Sequence, residues 1–185
     1  ICSLTLDSLQ GAAGGNIAIG FRAGDSFTTG TENTLIGFQS ATGCTGSRNT
    51  YIGSASSTIT PDGNDGDDNV RLGFQAGLNP NRGGVGTQDR CIYIGSGCAN
   101  QSQKTGDDVM VIGYQALQNI TSAASLILVG NEAGKAINPV SGSSTTIIGH
   151  GALQGPNDDG SEQYTVASGV FIGQKPGDPV DLYPL

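Results

Sequence analysis

Asn69-Val70-Arg71-Leu72-Gly73-Phe74-Gln75-Ala76-Gly77 is the stretch on which the fold turns. Its centre, an aliphatic residue followed by glycine, returns along the whole chain: Ile19-Gly20, Ile36-Gly37, Ile52-Gly53, Leu72-Gly73, Ile94-Gly95, Ile112-Gly113, Val129-Gly130, Ile148-Gly149 and Ile172-Gly173. Successive glycines are 17, 16, 20, 22, 18, 17, 19 and 24 residues apart. A constant unit joined by linkers of changing length is the mark of stacked repeats, in which each unit buries its apolar face only against its neighbours.

The residue two positions before each aliphatic one is Ile17, Thr34, Thr50, Val70, Ile92, Met110, Ile127, Thr146 or Val170. Spacing of two puts both on one face of a short strand. Between them lies Ala18, Leu35, Tyr51, Arg71, Tyr93, Val111, Leu128, Ile147 or Phe171, a mixed but largely apolar column on the opposite face. Both faces therefore call for burial, one inside a coil and the other against a neighbouring chain or the linkers. The expected core is the column Ile19, Ile36, Ile52, Leu72, Ile94, Ile112, Val129, Ile148 and Ile172, and burial of the second face predicts oligomerisation.

Gly20, Gly37, Gly53, Gly73, Gly95, Gly113, Gly130, Gly149 and Gly173 read as sharp corners that exclude a Cβ. Three residues on comes a small side chain, Ala23, Ser40, Ser56, Ala76, Cys98, Ala116, Ala133 or Ala152, suited to close stacking; the ninth unit has Pro176 there, so the stack should end near Gly173. Asn16, Asn33, Asn49 and Asn69 open the first four units as turn-fixing side chains. Period two over a few residues, ended by glycine, argues against helix; only Asp7 to Ala12 and Ile112 to Asn119 leave room for an isolated helical turn. Nine coils at the strand spacing of a sheet make a rod about 43 Å tall.

Composition agrees. Glycine supplies 31 of 185 residues, well above the average usage of roughly 7 %. The net charge of −8 has the wrong sign for a surface that neutralises phosphates, which disfavours nucleic acid as a partner. No apolar run approaches the ~18 residues of a membrane-crossing helix. Cys2, Cys44, Cys91 and Cys98 lack paired zinc-site spacing and read as small hydrophobes, with a Cys91–Cys98 bridge across one glycine turn as the alternative.

Residues 61–68, Pro-Asp-Gly-Asn-Asp-Gly-Asp-Asp, concentrate oxygen donors, and Asp62, Asp65 and Asp67 are the weak metal candidates. The segment lacks the EF-hand register and its closing Glu, so a solvated acidic loop is the favoured reading and no metal or cofactor is assigned. His150, the sole histidine, fills the slot after the repeat glycine that holds Phe21, Phe38, Phe74 and Tyr114 in other units. No nucleophile elbow, supported Ser or Cys nucleophile, or P-loop lysine is present, and no catalytic residue is expected. The polar linkers Asp25 to Glu32, Ser57 to Asp68, Leu78 to Arg90, Gln101 to Asp108 and Gln154 to Ser168 are surface segments suited to recognition.

The unit N-T-x-I-G-F-Q-A-G, as in residues 33–39 and 69–77, resembles the repeats of virus and phage tail fibres and is similar to the β-roll heads of trimeric autotransporter adhesins. The resemblance implies an all-β parallel β-solenoid forming a homotrimer, intertwined or side by side, on a virion or extracellular cell surface. It implies a non-enzymatic fibre segment with itself as main partner and a host-surface glycan or protein as a further one, without membrane insertion. On this reading residues 1–15 are an N-terminal connection, 16–177 the repeat domain and 178–185 an extended exit segment. A bacterial adhesin head is the close alternative and an ice-binding solenoid a more distant one, since Thr34, Thr50 and Thr146 do not form a continuous array. A left-handed-helix acyltransferase would need a six-residue phase that the spacings break.

Overall fold

A computed structural model describes residues 14–26, 29–43, 45–57, 66–78, 88–100, 106–118, 125–135, 137–139, 144–154, 164–166 and 168–173. Among them there is no helix. The strands are β1 (Ile17–Ile19), β2 (Thr34–Ile36), β3 (Thr50–Ile52), β4 (Val70–Leu72), β5 (Ile92–Ile94), β6 (Met110–Ile112), β7 (Leu126–Val129), β8 (Ile137–Pro139), β9 (Thr145–Ile148), β10 (Tyr164–Val166) and β11 (Gly169–Ile172). Nine of them form one parallel sheet in the order β1-β2-β3-β4-β5-β6-β7-β9-β11. Each strand of this sheet pairs with the sheet's next strand along the chain, β8 and β10 falling in the connections, so the chain winds as a parallel β-solenoid. Nine strands are not nine closed coils: β11 ends the sheet at Ile172, and no turn follows it among the described residues.

The repeat motif falls in register. Ala18, Leu35, Tyr51, Arg71, Tyr93, Val111, Leu128, Ile147 and Phe171 stand side by side across the sheet, as do the aliphatic residues before the glycines. From Leu35 to Ile147 the middle column is fully buried and forms the interior. This reverses the expected core. Ile19, Ile52, Ile148 and Ile172 are 40–65 % exposed, and Ile36, Leu72, Ile94, Ile112 and Val129 are half-buried on the outer face of the single chain. Alternation shows which residues share a face; the direction in which the coil closes decides which face looks inward.

That closure is set at the corners. From Gly20 to Gly149 the repeat glycines take φ between +134° and +148°, where a side chain is strained. A Cβ on any of them would collide with the carbonyl of the next repeat glycine. Gly173 differs: among the described residues nothing lies near its Cβ position and no further rung stacks on it. The following residues alternate into the left-handed region, as at Gln115 (φ 51°) and Leu117 (φ 53°), so the helical turn considered for Ile112 to Asn119 is, over its described residues to Gln118, a bend that folds the chain back over the sheet. The one considered for Asp7 to Ala12 lies outside the described residues, as does Pro176. Ala23, Ser40, Ser56, Ala76, Cys98, Ala116, Ala133 and Ala152 are all buried against the middle column, and their small volume keeps the coil narrow.

Side-chain ladders tie the coils along the rod. Asn16 Oδ1 accepts the backbone N–H of Asn33 at 2.9 Å, Asn33 Oδ1 that of Asn49 at 2.8 Å, Asn49 Oδ1 that of Asn69 at 2.8 Å, and Asn69 Oδ1 that of Cys91 at 2.9 Å. The amide groups of Asn33, Asn49 and Asn69 donate to the carbonyls of Gly46, Gly66 and Gln88. A parallel ladder runs through Ser47, Asp67, Asp89 and Asp107, each of the first three donating its backbone N–H to the next carboxylate. Beyond the motif, β8 and β10 make a separate two-stranded parallel sheet, so the linkers containing Ile137–Pro139 and Tyr164–Val166 pair with each other.

Candidate interaction surface

The outer face of the nine-stranded sheet is the most unusual surface of the chain. Its two columns are Ile17, Thr34, Thr50, Val70, Ile92, Met110, Ile127, Thr146 and Val170, and Ile19, Ile36, Ile52, Leu72, Ile94, Ile112, Val129, Ile148 and Ile172. None is charged, only the three threonines are polar, and none of the eighteen is fully buried. Eight strand intervals make this face about 38 Å long. Parallel sheets are ordinarily covered on both faces, and contiguous apolar surface of this extent marks an interaction site.

Next to it, around the glycine corner, stands a second exposed column. Phe21, Phe38, Phe74 and Tyr114 are all about half exposed, and the Phe21 and Phe38 rings stack with centroids 5.7 Å apart at 14°. His150 continues the column as an exposed side chain, consistent with its expected place as a repeat filler.

Charge lies elsewhere on the coil. Glu32, Arg48, Asp68, Arg90 and Asp108 hold the same left-handed position before successive strands and alternate in sign along the rod. Arg48 pairs with Asp68 at 2.6 Å and Asp67 at 3.1 Å; Arg90 pairs with Asp108 at 2.7 Å and Asp107 at 3.3 Å. The hydrogen bonds from Arg48 and Arg90 hold the carboxyls of Asp68 and Asp108 below their usual range. Exposed pairs of this kind contribute little to stability, but they discriminate between aligned and slipped coils.

Asp67, one of the metal candidates, is thus committed to the Ser47 N–H and to Arg48; Asp62 and Asp65 lie outside the described residues. Cys91 and Cys98 are free and buried rather than bridged, and Cys2 and Cys44 lie outside the described residues. Burial pushes both described thiols up, Cys98 to about 12, so neither supplies a thiolate nucleophile near neutrality.

Sequence reasoning missed Arg71 as a core residue. It is fully buried, with its guanidinium over the Tyr51 ring at 5.0 Å and the Tyr93 ring at 5.5 Å. It donates to Ser57 Oγ and, at 3.1 Å, to Gln88 Oε1. The signal was present: Tyr51, Arg71 and Tyr93 occupy one motif position in three successive units, the spacing at which a cation sits between two rings.

No protein family, curated protein or solved structure matches the chain.

Proposed function

We propose that the chain is a structural and adhesive segment of a trimeric surface fibre, a shaft or head on a virion or phage tail, in which the outer sheet face is the contact between copies. The observation that carries this reading is the uncharged, largely apolar face of nine parallel strands, which no described residue of the chain covers. A threefold axis parallel to the rod lets three such faces cover one another along their full length, and a closed ring leaves no apolar face for further growth. The repeat unit N-T-x-I-G-F-Q-A-G, similar to tail-fibre and adhesin-head repeats, supports the same arrangement. A bacterial adhesin head uses the same face and is the second setting for it.

The function is mechanical rather than enzymatic. Stacked hydrogen bonds and an apolar seam make a stiff rod that resists proteolysis, while polar linkers and exposed side chains present it to a host-surface glycan or protein. Light scattering during size exclusion tests the assembly: three copies of the 18.6 kDa chain give a mass of about 56 kDa. A folded monomer at micromolar concentration would overturn it.

A further inference from the structure

We propose that the aromatic column carries two ring-sized slots that bind the terminal sugar of a neutral glycan, one between Phe38 and Phe74 over Ser54, the other between Phe74 and Tyr114 over Ser96. The inference rests on the fibre reading only for its setting, since it gives the fibre a host-surface ligand.

Along this column the residue after each repeat glycine is Phe21, Phe38, Ser54, Phe74, Ser96 and Tyr114. The first two show how rings on adjacent rungs sit, stacked nearly parallel with centroids 5.7 Å apart. On the next four rungs the rings come only at every second position. The backbone there keeps rung-to-rung hydrogen bonds: Ala55 N–H to Phe38 O at 2.8 Å, Gln75 N–H to Ser54 O at 3.0 Å, Gly97 N–H to Phe74 O at 2.8 Å, and Gln115 N–H to Ser96 O at 3.0 Å. The ring-bearing rungs are therefore held two strand spacings apart, about 9.6 Å. A single flat ring placed midway lies about 4.8 Å from each neighbour, within the 4.5–7 Å range of stacked centroids.

The chemistry of the slots selects the ring. Their walls are half-exposed aromatic side chains, which suit the C–H faces of a hexose. Their floors are serines, and the residues beside the rings are Gln39, Gln75 and Gln115, groups that exchange hydrogen bonds with hydroxyls. Beside the ring-free rungs stand Ala55 and Gly97, the latter flanked by Gln115 Cγ and by Gln118, whose Nε2 donates to the Gly97 carbonyl at 3.3 Å. The chain's net charge of −8 favours neutral over anionic sugars. A hexose held face to face between two such rings enters edge-on from the side, which suits a terminal residue of a glycan rather than the interior of a chain lying along the column. The column lies past the glycine corner, off the sheet face assigned to the contact between copies. Two slots per chain, six per trimer, raise the avidity of weak individual sites.

The test uses the full chain and albumin carriers displaying many copies of terminal galactose, glucose or mannose, with a phenyl-bearing carrier as comparison, read by biolayer interferometry alongside the mass in solution. We expect at least one sugar carrier to bind, Phe74→Ser to weaken binding tenfold or more by removing the wall both slots share, and Ser54→Phe to reduce it by plugging one slot while leaving every wall in place. Binding of no sugar carrier, binding of the phenyl carrier alone, or sugar binding undiminished in both variants would overturn the proposal. A monomeric mass with sugar binding intact and lost in the variants would sink the fibre reading and sustain the slots.

Discussion

Gly113 and Gly130 stack so closely that a Cβ on Gly113 would lie 2.6 Å from the Gly130 carbonyl carbon, closer still to its oxygen. The pair shows how the corners work: each glycine leaves room for the carbonyl of the next rung, and the φ of +148° at Gly113 is one that a side chain strains to adopt. Gly113→Val combines that strain, on the order of 1–3 kcal/mol, with a backbone collision. We expect a loss of at least that size in urea unfolding, with Gly173→Val far milder because none of the described residues lies within 4 Å of a Cβ placed there. Equal effects at both sites would contradict the corner geometry.

Asn49 is held from both sides. Its own N–H donates to Asn33 Oδ1, while its side chain accepts from Asn69 N–H and donates to Gly66 O, all in buried surroundings. Asn49→Ala removes the bonds that its side chain makes to the Asn69 N–H and the Gly66 carbonyl, at about 1–3 kcal/mol each. Amide exchange at Asn69 should quicken markedly in this variant. If it stays as slow as in the parent chain, the ladder is not what protects that amide.

Tyr93 and Ile94 are neighbours with opposite fates. Tyr93 is fully buried inside the coil, whereas Ile94 faces outward and is half-buried. Tyr93→Ala should lower the chain's stability by about 3–5 kcal/mol. Ile94→Lys should leave a folded chain whose mass drops from about 56 kDa toward the 18.6 kDa of one copy. A fully trimeric Ile94→Lys variant would remove the outer face from the proposed contact.

Burial raises the Cys98 thiol from 9.0 to about 12. The unfolded chain therefore ionises this thiol near pH 9 while the folded chain does not. The associated stability is complete below that point and is lost as pH rises from 9 toward 12. At pH 8 a thiol reagent should leave Cys98 unlabelled until the chain is unfolded, as read by peptide mapping, and Cys98→Ala should flatten the alkaline loss. Rapid native labelling of Cys98 would contradict its burial.

At the acid end the sign reverses. The Arg90 hydrogen bond holds the Asp108 carboxyl low, so its contribution is present above the usual carboxylate range and lost as pH falls through it. The pair is exposed, and Asp108→Asn should change the acid unfolding midpoint only slightly. A large shift would mean that the alternating column of Arg48, Asp68, Arg90 and Asp108 acts as a cooperative network.

Much of the architecture was legible because glycine punctuates it. The aliphatic-glycine pairs locate the ends of β1 to β7, β9 and β11, since only glycine tolerates a corner that backs onto another corner. The asparagines before β2, β3 and β4 were legible for a similar reason, being the residues whose short amides bridge successive turns. The β8–β10 pairing was not legible, because Ile137–Pro139 and Tyr164–Val166 carry no repeat signal and meet only through tertiary placement.

By itself, then, the sequence determined the period of the solenoid, the glycine corners, the small residues that follow them and the two-face pattern of each short strand. Only the tertiary structure decided which face turns inward. Leu35, Tyr51, Arg71 and Tyr93 look less like a core than Ile36, Ile52, Leu72 and Ile94, yet the former are enclosed and the latter lie outside. The reason is physical: alternation is symmetric between the two faces, while the left-handed residues after each glycine fold the chain back over one of them. What lies inside must then fit a narrow coil, and a guanidinium between two tyrosine rings fits it.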